Sequence, residues 1–177
     1  LNDTALRRKL LDPIRITGGE FSLAGRPTAE RSGLDKEEGT ERGGKARDCL
    51  ASLQARLAAE STRALLVVFQ AMDAAGKDGT IAHVMSGVNT QGVAVTSFKQ
   101  PGPVDLAHDF LWRIHAAVPT RGRIGIFNRS HYEEVLTCRV HPELLEAQHL
   151  PPGPRDDAFW QTRYNDIAAF ERYLTHQ

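Results

Sequence analysis

Apolar positions in this chain fall into three short runs and several longer stretches with three-to-four spacing. Leu65 to Gln70 (LLVVFQ), Val93 to Phe98 (VAVTSF) and Arg123 to Asn128 (RIGIFN) are too short for helices. They are rich in branched side chains, which predicts three strands. Helical spacing covers Leu34 to Ser61, where Ala46, Cys49, Leu50, Leu53 and Leu57 share one stripe. Because Gly39, Gly43 and Gly44 weaken its first half, a helix is predicted only after Lys45. Further helices are expected over Lys77 to Gly87, with Ile81, Val84 and Met85 inward, and from an Asp105 cap through Leu106, Phe110, Leu111, Ile114 and Val118. Ser130 to Leu136, Pro142 to Gln148 and Asp156 to Leu174 follow. The last carries Phe159, Trp160, Tyr164, Ile167, Phe170 and Leu174 on one stripe, and Phe110, Trp112 and Trp160 are expected in the core. Residues 1–33 are polar and aperiodic. They read as an extended arm anchored by Leu10, Leu11, Ile14, Ile16, Phe21 and Leu23, ahead of a core over 34–177.

Strands alternating with helices imply a parallel sheet covered on both faces, a three-layer α/β/α domain. Ligands of such sheets gather at the carboxyl ends of the strands. All three runs here end in candidate chemistry: Gln70 to Lys77, Phe98 to Pro101, and Asn128 to Ser130. The first is the most telling. LLVVFQAMDAAGKDGT passes from an apolar run through a small-residue turn straight into a helix start. Unpaired amides at that start, with Lys77, would make a socket for phosphate; the alternative is an ordinary strand-to-helix turn with a surface lysine. The strict G-x-x-x-x-G-K-[ST] pattern is met only at Gly76 and Lys77, with Ala71 and Asp78 departing from it. Asp73 would repel phosphate unless a cation such as Mg²⁺ intervened; an alternative is a turn carboxylate bonded to its own backbone. Arg129 offers a planar fork for phosphate, or pairs with Glu133 or Glu134. Lys99 reads equally as a surface lysine.

Composition narrows the picture modestly. With 177 residues, 41% hydrophobic and 25% charged, the chain suits one globular domain. A net charge of zero gives no general attraction to nucleic acid or membrane. Cys49 and Cys138 lack metal or disulfide spacing and read as buried apolar residues of a reducing, cytoplasmic compartment. The seven histidines show no ligating pattern and are expected at or near the surface.

QAMDAAGKDGTIAHVMSGVNTQG, VTSFKQP, HDFLWRIHAAVPTRGRIGIFNRSHYEEVL and YNDIAAFERYL resemble, in order, blocks of the polyphosphate kinase 2 family. FNRS, with Asn128 where many relatives carry a Walker B aspartate, looks most like its class III. The resemblance implies a thymidylate-kinase-like P-loop fold and Mg²⁺-dependent phosphoryl transfer from inorganic polyphosphate to AMP and ADP, ending at ATP. It implies that the stretch Ala74, Ala75, Gly76, Lys77, Asp78, Gly79 and Thr80 grips phosphates. Asp73 would hold Mg²⁺ and orient the attacking phosphate, and Arg129 would act in the transition state. Phe98, Lys99, Pro101 and Asn128 would lie beside the nucleotide. The same resemblance implies a further strand, an arginine-bearing lid and more helices after the FERYL segment, so the chain reads as a fragment. The Leu65–Gln70 strand would then keep an open edge, and a homo-oligomer, dimer or tetramer, is expected. Two other readings stay open: an ATP-dependent P-loop kinase of nucleotides or metabolites, and a non-catalytic polyphosphate-binding remnant.

Overall fold

A computed structural model describes residues 4–16, 18, 22–26 and 33–177. The chain separates into two compact units, Leu1–Leu50 and Ala51–Gln177. In the first, α1 (Thr4–Leu11) is a helix where an extended arm was expected. Ile14 and Ile16 are 62% and 60% exposed, so neither is an anchor. Leu11 is exposed too, Leu10 is half-buried, and Phe21 and the Leu23 side chain lie outside the described part.

Helix α2 (Lys36–Glu60) runs through the glycines that were expected to interrupt it. Asp35 Oδ1 accepts the Glu38 amide at 2.8 Å, and Glu38–Arg42 and Glu41–Lys45 pair one turn apart. A cap and two such pairs together offset much of the roughly 1 kcal/mol that each glycine costs. Further along, Gln54 is buried and Leu53 is half exposed, a reversal of the expected stripe. Gly92 explains it: a Cβ there would lie 1.7 Å from Gln54 Nε2, so the amide fills space that only glycine leaves.

The second unit holds a parallel sheet in the order β1 (Leu65–Phe69), β3 (Ile124–Asn128), β2 (Val93–Ser97). Central β3 is buried along nearly its whole length, while β1 and β2 are partly exposed. Leu66, Val68 and Phe127 face a core made by Phe98, just after β2, with Ile114 from α5 (Trp112–Ala116) and Phe170 from α8 (Asp157–Thr175). On the opposite face Ile124 and Ile126 are 2% and 0% exposed, so both faces of β3 are covered. Gly125 is required where Pro119 approaches; an added Cβ would lie 2.7 Å from the proline ring. Trp160, Val135, Cys138, Leu145 and Ile167 make a second apolar cluster between α6 (Glu133–Val140), α7 (Glu143–Glu146) and α8.

Local polar bonds moved several expected boundaries. The single helix predicted from Asp105 is two, α4 (Pro103–Leu106) and α5. Asp105 is not the cap; it sits inside α4, and its carboxylate accepts the Gly102 amide at 2.9 Å. Asp109 Oδ1 takes the Leu111 amide at 2.9 Å and starts α5 afresh, a side chain competing with the helix ladder. Likewise Ser130 Oγ accepts the Tyr132 amide, holding residues 129–132 as a turn, so α6 begins at Glu133 rather than Ser130. Trp112 is 39% exposed and stacks on His108 at 4.1 Å instead of entering the core. In α3 (Lys77–Met85) Val84 faces out and only Ile81 is fully buried. Cys49 is half-buried rather than buried, and both cysteines are free. Among the described residues no helix is long and apolar enough to cross a membrane.

Candidate functional site

Register decides the site. Phe69, Asn128 and Ser97 pair side by side, so all three strands finish at one level. The ladder continues one step further, with the Arg129 amide on Phe69 O at 3.0 Å and the Phe98 amide on Asn128 O at 3.1 Å. The loops after them ring one cleft of about 620 Å³, lined by Asp73–Gly79, Ser97–Gln100, Asn128 and Arg129. The expected convergence of three strand ends is therefore present. Thr80 is exposed on α3 outside the cleft. Pro101 belongs instead to an adjoining cavity of about 330 Å³ that shares Phe98, Lys99, Gln100 and Arg129.

The loop from Ala71 to Gly76 is held by its own lysine. Lys77 Nζ donates to Ala71 O at 2.8 Å and Met72 O at 2.9 Å, closing the turn into a ring. Two of its three N–H bonds are used so; the third is left for a ligand. Gly76 caps α3 in the left-handed region, φ 86°, and has no side chain with which to satisfy the first amides of the helix. Ala74 is also left-handed, φ 59°, a costly state for a residue with a Cβ. Ala75 donates back to Met72 O at 3.3 Å, tightening the turn. The opening of α3 thus presents uncapped amides to the cleft, where the helix dipole favours an anion.

Opposite stands Arg129, again left-handed, φ 62°. Its guanidinium pairs with Asp73 across the cleft, rather than with Glu133 or Glu134. Asp73 is 82% and Arg129 40% exposed, so solvent screens the pair and either partner is free to turn to a ligand. Asn128 donates to the Asp78 carboxylate, which binds the root of Arg129 to the first turn of α3. Lys99 is exposed at the rim, its carbonyl accepting from Arg113 at 2.9 Å. Phe98 is 7% exposed and set edge-on to Phe127 at 4.9 Å, so it floors the cleft.

Three features escaped sequence reading. Gln70, Ser130 and Glu133 form a hydrogen-bonded bridge between the β1 and β3 loops. Glu171, far along on α8, accepts Tyr132 Oη at 2.7 Å and faces His131 Nε2 at 3.3 Å. Burial, helped by Glu171, pushes the Tyr132 hydroxyl up to about 12, so it remains a donor. His131 is 3% exposed, against the expectation of a surface or partly buried histidine; burial lowers its pKa, with Glu171 opposing. Only FNRSHY, which brackets β3's end, hinted at these. Among the described residues no three His, Cys, Asp or Glu side chains gather to hold a metal unaided. Asp73, an exposed hard oxygen donor lining the cleft, does fit Mg²⁺ of the kind bound by one carboxylate and substrate oxygens.

Comparison with known proteins gives a consistent result. The model of the family described as Polyphosphate kinase 2 matches residues 33–177. An ADP-polyphosphate phosphotransferase of Rhodopseudomonas palustris is 53% identical over 126 residues, 71% of this chain and 44% of that protein. An AMP/ADP-polyphosphate phosphotransferase of Meiothermus ruber is 49% identical over 128 residues, 72% of this chain and 44% of that protein. The crystal structure of polyphosphate kinase 2 from Arthrobacter aurescens TC1 superposes with a TM-score of 0.79 at 39% identity, covering 90% of this chain and 54% of that one. The chain spans about half the length of the relatives it matches.

Proposed function

This chain belongs to the polyphosphate kinase 2 family, and we propose that its cleft moves the terminal phosphoryl group of inorganic polyphosphate onto AMP and ADP. The observation that carries the reading is the single cleft at the strand ends. There the uncapped start of α3, Lys77 and Arg129 meet within reach of one phosphate chain. Loop amides and the Lys77 ammonium bind phosphate oxygens. Arg129, released from Asp73, takes the charge that grows on the transferring group. The Asp73 carboxylate orients the attacking nucleotide phosphate and would hold Mg²⁺, which supplies charge neutralisation between donor and acceptor phosphates. Lys99 stands at the junction with the neighbouring cavity, where Phe98 and Pro101 flank the path toward a nucleoside. Catalysis of this kind is positioning and electrostatics, with little covalent chemistry asked of the protein. Free thiols at Cys49 and Cys138 suit a reducing cytoplasm.

The two relatives differ in name at the acceptor, ADP in one and AMP or ADP in the other. The test supplies the full-length protein with polyphosphate and either AMP or ADP, with ATP as rival donor. Formation of ADP from AMP and ATP from ADP is expected. Transfer from ATP without any from polyphosphate would make it an ATP-dependent kinase, and polyphosphate binding without turnover an anion-binding module.

A further inference from the structure

Beyond the last ladder bond of the sheet, side chains take over the work of holding β1 and β3 together. Gln70 directly follows β1 and precedes Asp73 by three residues. Its Nε2 donates to Glu133 Oε1 at 2.7 Å, and its Oε1 accepts Ser130 Oγ at 2.9 Å. Ser130 is 1% exposed and directly follows Arg129. Ser130 Oγ also accepts the Tyr132 amide at 3.2 Å, and Thr137 Oγ1 donates to the other oxygen of Glu133. Every polar atom of the Gln70 amide end is thus engaged, and its orientation is forced, because an ionised carboxylate only accepts.

The amide sits at the root of both walls of the cleft. On one side hangs the loop with Asp73, left-handed Ala74 and Lys77; on the other hangs left-handed Arg129. Neither left-handed residue holds that conformation by its own preference, so something outside must impose it. Gln70 and Glu133 are only half-buried, and their bonds with Ser130 join the loop after β1 to the loop after β3, so the bridge acts on loop spacing. We propose that Gln70 is a positioning residue, a strut whose two bonds fix the separation of the Asp73–Lys77 loop from Arg129. This rests on the phosphoryl-transfer reading for its kinetic consequence.

The bond between Gln70 and Glu133 has a direction, and reversing it gives the test. Gln70→Glu sets two carboxylates 2.7 Å apart while Ser130 keeps its acceptor. Gln70→Glu with Glu133→Gln turns the bond round and satisfies both ends, and Thr137 then donates to the new amide oxygen. In the full-length protein, Gln70→Glu should lower kcat about 10²-fold, the scale of a misplacement of about 1 Å, with KM for polyphosphate moving far less. The double variant should recover most of that loss, as follows when one bond couples the two residues, and the kcat-against-KM split separates positioning from loss of fold. Wild-type kcat in Gln70→Glu, or a double variant no better than the single, overturns the strut. Should Gln70→Glu fail to fold, neutral Gln70→Asn, one methylene too short to span both partners, decides instead. A fall in kcat at near-constant KM supports the strut, and wild-type kcat overturns it. Affinity for tripolyphosphate, read by calorimetry, separates the two ideas. If the wild type transfers nothing from polyphosphate, the transfer reading fails. The strut then stands on a small, few-fold weakening of tripolyphosphate binding in Gln70→Glu, far below the fall expected in kcat, that the double variant repairs, and falls if all three bind alike.

Discussion

Phe127 and Arg129 lie two residues apart at the end of β3 and are held by opposite means. Phe127 is wholly buried against Phe98, Ile114 and Phe170, and its place is set by close packing of apolar surface. Arg129 is 40% exposed, left-handed in its backbone, and placed by polar bonds alone: its amide on Phe69 O and its guanidinium on Asp73. The lesson is a division of labour. Packing fixes the strands to within a fraction of an ångström, because voids and overlaps are both costly in a dense interior. Polar bonds in the half-wet cleft then aim a few charged groups, cheaply and reversibly, where a substrate can take them over.

Changes on the two sides of that line should fail differently. Phe127→Ala empties a fully enclosed site and should cost about 3–5 kcal/mol of stability, read by denaturant unfolding of the full-length protein. Activity would then be lost together with the fold. Lys77→Ala should do the reverse. Transfer from polyphosphate is expected to fall about 10²–10³-fold, the scale for losing one charge-stabilising donor, with the unfolding midpoint hardly moved. If Phe127→Ala spared stability, or Lys77→Ala spared transfer, the division would be wrong on that side.

His131 sharpens the boundary, since it is buried like the core yet titratable like the cleft. Burial depresses its folded pKa below the ordinary 6.5, with Glu171 opposing and the Tyr132 hydroxyl bonded to the same carboxylate. The unfolded chain therefore binds the proton more readily than the folded one. The stabilising contribution is complete above pH 6.5 and is lost as pH falls through the lower, folded value. A stability–pH profile should show that decline, and His131→Asn should flatten it. An identical slope in the variant would assign the decline to other groups. This is the smallest of the three effects.

Much of the fold was legible because its signals are local. The three strands were placed within a residue at each end, and the helix over Asp157–Thr175 keeps its stripe except at Tyr164, which is exposed where its hydroxyl meets Arg139. Short-range competition was harder to read. Asp109 and Ser130 each capture an amide two residues on, which split one helix and delayed another. Gln54, buried where the stripe had put Leu53, and His131 escaped for a different reason: the space that buries each is made by distant residues, Gly92 for one and α8 for the other.

The cleft divides along the same line. Apolar runs, a small-residue turn and the lysine after Gly76 are properties of neighbouring residues, so the chain alone determined a tight turn that enters a helix at the carboxyl end of a strand. What only the tertiary structure decided is which groups face it. Asp73 meets Arg129, Asn128 meets Asp78, and Gln70 reaches Ser130 and Glu133, all across fifty or more residues of sequence. Such pairings follow from strand register, and register is settled by burying the whole sheet at once rather than by any one segment.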